Sequence, residues 1–232
     1  MNKGEKKLFN TYNFEEIQKV CKYAHTNSLL IGINGYTGAG KTTALKYYTK
    51  KENYVLYILR TVSMNTRSFY TDILLELNPN ANIYVKTNII IKQIIFLINN
   101  SENKLLLIID DSGKFSPTDL EFLHELREST QENLGVILAG VDYYFIKMRD
   151  WNDKNIKGVA ELMRRIFGVI TLERPTKQEV KEISNAFNVF DENIINKWYE
   201  MIDNFGTLFF LIKRYLDQDR GDDIPSFDDQ IL

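Results

Sequence analysis

Cysteine is nearly absent: Cys21 stands alone among 232 residues. One thiol excludes an internal disulfide and a thiolate zinc cage, and it fits a reducing cytosol, so a cytoplasmic location is expected. Histidine is almost as scarce. His25 and His124 are isolated from each other and show no metal-ligand spacing. Long apolar runs are missing too: those at 105–109 and 168–172 fall far short of the ~20 residues a spanning helix needs, so no membrane partner is expected. Residues 1–7 lead into a polar stretch, and no secretory signal is expected. Charge of one sign is lacking as well. With 29 basic and 31 acidic side chains, the formal charge is −2, which argues against gripping nucleic acid by bulk positive charge. At 44% hydrophobic and 26% charged, the composition is that of a folded chain with a sizeable core.

Strand-like and helix-like segments alternate from residue 14 to 175, which predicts an α/β fold with a parallel sheet wrapped by helices. Asn13 with Glu16 suggests a capping box for a first helix reaching about His25. Apolar strands are expected at 29–33, 54–59, 105–109, 136–139 and 167–172, with helices at 42–49, 66–76 and 88–98 between them. Ser116-Pro117 supplies an N-cap and an N1 proline for a helix to about Glu128. After Pro175 only helical periodicity follows, opened by Thr176 and Glu179. Three units result: an α/β core at 1–175, a helical unit at 176–220, and an acidic flexible tail at 221–232.

The chemistry concentrates after the first strand. Gly35-Tyr36-Thr37-Gly38-Ala39-Gly40-Lys41-Thr42 matches the phosphate-binding pattern G-x-x-x-x-G-K-[ST] in full, with Thr43 beside it. Glycines let successive N–H groups face the nucleotide phosphates, and the following helix adds its positive dipole end. Lys41 is expected on the β and γ phosphates, and the Thr42 hydroxyl on Mg²⁺. The run 105–109 ends in Asp110 and Asp111. A parallel sheet puts Asp110 at the strand's carboxyl end, where it can hold the water shell of the metal. Asp111 is then the carboxylate that orients or deprotonates the attacking water. Arg164 and Arg165 precede the fifth strand, where a guanidinium can reach a neighbouring subunit's γ-phosphate. Residues 143–157 interleave Tyr143, Tyr144, Phe145 and Trp151 with Lys147, Arg149, Lys154 and Lys157, a pattern open to nucleic-acid stacking or to core packing.

These motifs together resemble the AAA+ transposition-helper ATPases, the family of the phage Mu B protein and the TnsC-type and IstB-type regulators. "IGINGYTGAGKTTAL", "LLLIIDDSGKF", "ELMRRIFGVITLERPTKQEV" and "FGTLFFLIKRYL" fall in the family's order over roughly residues 11–216. The resemblance implies a P-loop core with strand order 5-1-4-3-2 and a helical lid. It also implies slow ATP hydrolysis, an ATP-dependent homo-oligomer on DNA, and signalling to a transposase. It places Lys41 and Thr42 on the phosphate and metal positions, Asp110 and Asp111 on the Walker B pair, and Arg164 or Arg165 in the arginine-finger region.

Three departures stand out. The family usually has Glu at Asp111. At the end of strand four, where a polar sensor is usual, the sequence reads Ala139-Gly140-Val141, with Asp142 the nearest polar side chain. Phe209 replaces the lid's sensor arginine. A separate N-terminal DNA-binding domain of the kind some helpers carry is not expected ahead of the core. An alternative is a STAND-like nucleotide switch acting as a binding module without a role on DNA. The charge bears on this choice: four aspartates at 221–232 leave the remainder near +2, so DNA binding requires many aligned copies.

Overall fold

The computed structural model describes residues 8–219, and the tail expected at 221–232 lies outside the described residues. Five strands form one parallel sheet: β1 (Leu30–Asn34), β2 (Val55–Leu59), β3 (Leu105–Asp110), β4 (Leu134–Gly140) and β5 (Ile166–Thr171). Their spatial order is β2-β3-β4-β1-β5, which is the expected 5-1-4-3-2 read from the other edge. β3 and β4 are buried at every position, as continuous apolar strands covered on both faces must be.

Helices α1 (Tyr12–Asn27) and α2 (Lys41–Lys51) cover one face. Their Ile17, Cys21, Ala24 and Leu45 pack on Ile31, Ile33, Leu106 and Ile137. The other face carries α3 (Thr66–Leu77), α4 (Thr87–Asn99), α5 (Pro117–Ser129), α6 (Asp142–Asp153) and α7 (Val159–Met163). There Ile73, Ile94, Leu123 and Tyr144 meet Leu107, Ile109 and Val136. Each such apolar side chain contributes about 1.5–3 kcal/mol of burial. Arg60, at the end of β2, forms a buried ion pair with Asp119 of α5 at 3.1 Å and lies over the paired rings of Phe69 and Phe115.

β5 is an edge strand. Its burial alternates, and its pairing with β1 jumps from Leu30–Ile166 to Ile31–Gly168, leaving Phe167 as a bulge residue against Tyr23. After it come α8 (Lys177–Ala186), α9 (Glu192–Met201) and α10 (Phe205–Asp219), in the stretch where helical periodicity was expected. They bury Val180, Ile183, Ile195, Trp198, Leu208 and Ile212 in a cluster of their own.

One cap differs from expectation. α1 is capped by Thr11, whose hydroxyl accepts from the Phe14 N–H, so Asn13 lies inside the helix. Asn13 is committed elsewhere: its amide brackets the backbone of Glu173, donating at 2.8 Å and accepting at 2.9 Å. The Ser116 cap and the Thr176/Glu179 box form as the sequence implies, and Asp119 turns the Ser116 cap into a second box.

Candidate functional site

The phosphate loop leaves the carboxyl end of β1 and returns as α2. Gly38 and Gly40 adopt φ +83° and +88°, values that glycine reaches without strain. Gly38 also has no room for a side chain, since a Cβ there would come 2.5 Å from Asn204 Oδ1 and 3.2 Å from the Gly206 N. Asn204 caps α10, accepting from the Thr207 N–H at 2.8 Å. The amino end of α10 therefore rests on the loop.

Lys41 is 8% exposed and donates to the carbonyls of Gly35 and Tyr36, the latter at 2.9 Å. Burial lowers its pKa, and the charges of Asp110 and Asp111 oppose that shift. Thr42 Oγ1 donates to Asp110 Oδ2 at 2.7 Å, and Tyr57 of β2 donates to the same oxygen at 2.7 Å. The other oxygen, Oδ1, accepts from the Asp111 N–H at 3.0 Å. Asp110 is 1% exposed. A hydroxyl and an oriented carboxylate side by side are hard oxygen donors of the kind Mg²⁺ takes, so these residues fit that ion.

Asp111 is placed differently from its neighbour. It takes the left-handed conformation, φ +59°, and its carboxylate pairs with Lys114 at 2.8 Å, with half of the side chain exposed. Asp142 reaches the strand ends by accepting from the Asn34 amide at 2.9 Å. Asn34 is a buried polar group at the end of β1 that the motif reading passed over.

Beside the loop lies a cavity of about 700 Å³, lined by Ala39, Gly40 and Thr43 and walled by Phe9, Phe14, Ile183, Phe187, Phe205 and Phe209. Phe9, Phe187 and Phe209 pack ring to ring at 5.9–6.0 Å. Phe209, noted in the sequence only as a missing arginine, is thus part of an aromatic wall. An apolar cleft of this size next to a phosphate loop suits a planar base. The cleft is held together by contacts that sequence motifs do not record. Tyr36 donates to the Glu173 carbonyl at 2.5 Å, and burial raises its pKa to about 12. Glu179 caps α8 with one oxygen and accepts from the Tyr12 N–H at 2.8 Å with the other. Thr37 is exposed at the loop's outer edge.

Arg164 and Arg165 are not brought to this site. Ile166 pairs with Leu30, at the end of β1 opposite the phosphate loop. Arg165 binds Glu128 at 2.5 Å, whereas the Arg164 guanidinium has no partner among the described residues. The mixed aromatic and basic stretch divides on α6. Tyr144 and Phe145 join the core, while Tyr143 stays exposed and the Lys147 ammonium sits 4.6 Å from the Trp151 ring centre. Among the described residues no helix is long and apolar enough to cross a membrane.

Comparison with known proteins agrees with this geometry. The Mu-like prophage FluMu DNA transposition protein B of Haemophilus influenzae is 22% identical over 209 residues, 88% of this chain and 70% of that protein. Among solved structures, a Walker-type ATPase of Pyrococcus abyssi superposes with a TM-score of 0.67 at 16% identity, covering 87% of this chain and 67% of that one. The ORC1 protein of Aeropyrum pernix, solved in complex with DNA, gives 0.64 at 10% identity, over 91% of this chain and 62% of that one. Cdc6p of Pyrobaculum aerophilum gives 0.56 at 16% identity, over 79% and 50%. The chain thus spans half to about two thirds of these solved proteins, and at such identities the likeness is one of fold. A model of the AAA domain matches residues 25–148, more than half of the chain and all of the stretch from β1 to β4, and the chain belongs to that family of P-loop ATPases.

Proposed function

We propose that this AAA-domain protein binds ATP with Mg²⁺ between the phosphate loop and the C-terminal helices and hydrolyses it slowly. In the ATP-bound form it assembles with other copies on DNA and signals to a transposase. The observation that carries the nucleotide reading is the meeting of Lys41, Thr42 and Asp110 beside the aromatic cavity. In this reading the N–H groups of residues 38–43 and the Lys41 ammonium hold the phosphates. The rings of Phe9, Phe187 and Phe209 cover the base. Thr42 and Asp110 hold the Mg²⁺, which neutralises phosphate charge.

Asp111 accepts the proton of the attacking water. Its commitment to Lys114 supports slow turnover. Arg164 is the guanidinium offered to the next subunit, because Arg165 is already tied to Glu128. The transposition reading rests on the similarity to the FluMu protein over most of the chain. The decisive experiment is duplex DNA binding across a salt series with and without ATP. A steep salt slope only with ATP is expected from an assembly making many phosphate contacts. Monomeric protein in sedimentation with ATP, Mg²⁺ and DNA overturns it.

A second reading, a STAND-like switch without a DNA role, draws on the seating of Asn204 and Gly206 against Gly38, which makes nucleotide a brace for the closed form. Release of a protein partner on ADP-to-ATP exchange, with no effect of DNA, favours it.

A further inference from the structure

We propose that Lys114 is a positioning residue that restrains the Asp111 carboxylate and so limits the rate of ATP hydrolysis; this rests on reading Asp111 as the acceptor of the attacking water's proton. The backbone around Asp111 is not free to relax. Its left-handed conformation, φ +59° and ψ +37°, is one that aspartate tolerates better than most side chains, and its neighbours hold it there. The neighbours here are firm on both sides. The Asp111 N–H is held by Asp110 Oδ1 at 3.0 Å, and Ser112 Oγ donates to the Ala139 carbonyl of β4 at 2.9 Å. Phe115 closes the far side, 1% exposed, with its ring 5.0 Å from that of Phe69. Between these anchors Ser112–Lys114 forms a single 3-10 turn, which sets side chains three apart directly over one another. Lys114 Nζ consequently lies 2.8 Å from Asp111 Oδ2.

This pairing has a chemical consequence. In hydrolysis the water oxygen bonds to the terminal phosphorus, and the bond from that phosphorus to its bridging oxygen breaks, giving ADP and phosphate. The water's proton passes to Asp111. An oxygen already accepting from an ammonium is less available for that proton, so the pair must loosen before each turnover. Both side chains are partly exposed, 34% for Lys114 and 49% for Asp111. Water and salt screen such a pair, so Lys114 acts as a brake that opens readily.

The test is ATPase activity of the wild-type chain, Lys114→Gln, Lys114→Arg and Asp111→Asn across a salt series. Binding of a fluorescent ATP analogue and thermal melting are followed in parallel. Lys114→Gln is expected to raise kcat about two- to fivefold at low salt, the range open to a partly exposed ion pair, with nucleotide Kd and melting unchanged. The wild type and Lys114→Arg should accelerate with salt toward the Lys114→Gln rate, while Lys114→Gln stays flat. A purely structural lysine would not produce that difference in salt response. Adding Asp111→Asn to Lys114→Gln should remove the gain. The proposal is overturned if Lys114→Gln is no faster than wild type, is inactive, or shares its salt response. Wild-type turnover by Asp111→Asn overturns the underlying reading of Asp111 instead, and unchanged nucleotide affinity in that variant leaves the binding site standing.

Discussion

The phenol of Tyr57 and the carboxylate of Asp110, 53 positions apart in the chain, are joined by a 2.7 Å hydrogen bond across β2 and β3. The oxygen that accepts it also accepts from Thr42, so two donors fix one oxygen of the candidate metal ligand. Burial foremost, and then the hydrogen bond to Asp110, push the Tyr57 pKa upward, which keeps the phenol protonated and donating.

Tyr57→Phe removes that donor and leaves the ring. Partners that orient a metal ligand are typically worth 10–100-fold in metal affinity, and a loss of about tenfold in Mg²⁺ affinity is expected. Titrating Mg²⁺ against bound fluorescent ATP analogue measures it. An unchanged Mg²⁺ midpoint would show that Thr42 alone suffices to orient Asp110.

Gly38→Ala and Gly40→Ala separate backbone strain from loss of the contact with α10. Both positions have positive φ, so each variant is expected to lose about 1–2 kcal/mol. Only at Gly38 does the added methyl strike Asn204; at Gly40 it meets nothing within 4 Å. Limited proteolysis of the C-terminal helices should accelerate in Gly38→Ala alone. Equal acceleration in both variants counts against the seating of α10 on the loop.

Lys41 is expected to make nucleotide binding pH-dependent. Its folded pKa lies below the ordinary 10.5, chiefly through burial. Only the charged form attracts phosphate, so ATP affinity should fall as pH climbs through the lowered pKa. Stability of the free protein moves the opposite way: between the folded and unfolded values the unfolded chain binds the extra proton, so Lys41's contribution rises with pH. Calorimetric binding across that interval, with Lys41→Arg as the variant that stays charged, checks the first. Parallel losses in both proteins would assign the effect to another group.

Arg164→Ala and Arg165→Ala should differ. Arg165 forms a partly exposed pair with Glu128, so its loss costs about 0–1 kcal/mol of stability. Arg164 has no partner among the described residues to lose, and its removal should leave melting unchanged. If it serves the next subunit's phosphate, Arg164→Ala abolishes ATP-dependent assembly in sedimentation. Assembly lost only in Arg165→Ala would reverse the assignment.

The layered α/β order was legible because the local signals agree. Strand β3 is apolar up to Asp110 and β4 throughout, the caps Ser116 and Thr176 carry their partners three residues on, and the glycine loop leads into α2. The start of α1 differs from expectation because Asn13 has two uses, capping a helix or bracketing a distant backbone. Only the presence of Glu173 decides between them.

By itself, then, the sequence determined the parallel sheet, the phosphate loop and the carboxylate at the end of β3. Each depends on residue types at fixed local spacing, which backbone geometry converts directly into structure. Tertiary structure alone decided what completes the site: Tyr57 on Asp110, Lys114 turned onto Asp111, and Phe9 and Phe209 sharing a wall. It also tied Arg165 to Glu128, away from that site, and left Arg164 without a partner among the described residues. Most of these contacts join side chains remote in sequence. Such partners are chosen by packing, where a hydrogen bond or a ring face must be satisfied by whatever the fold brings within reach.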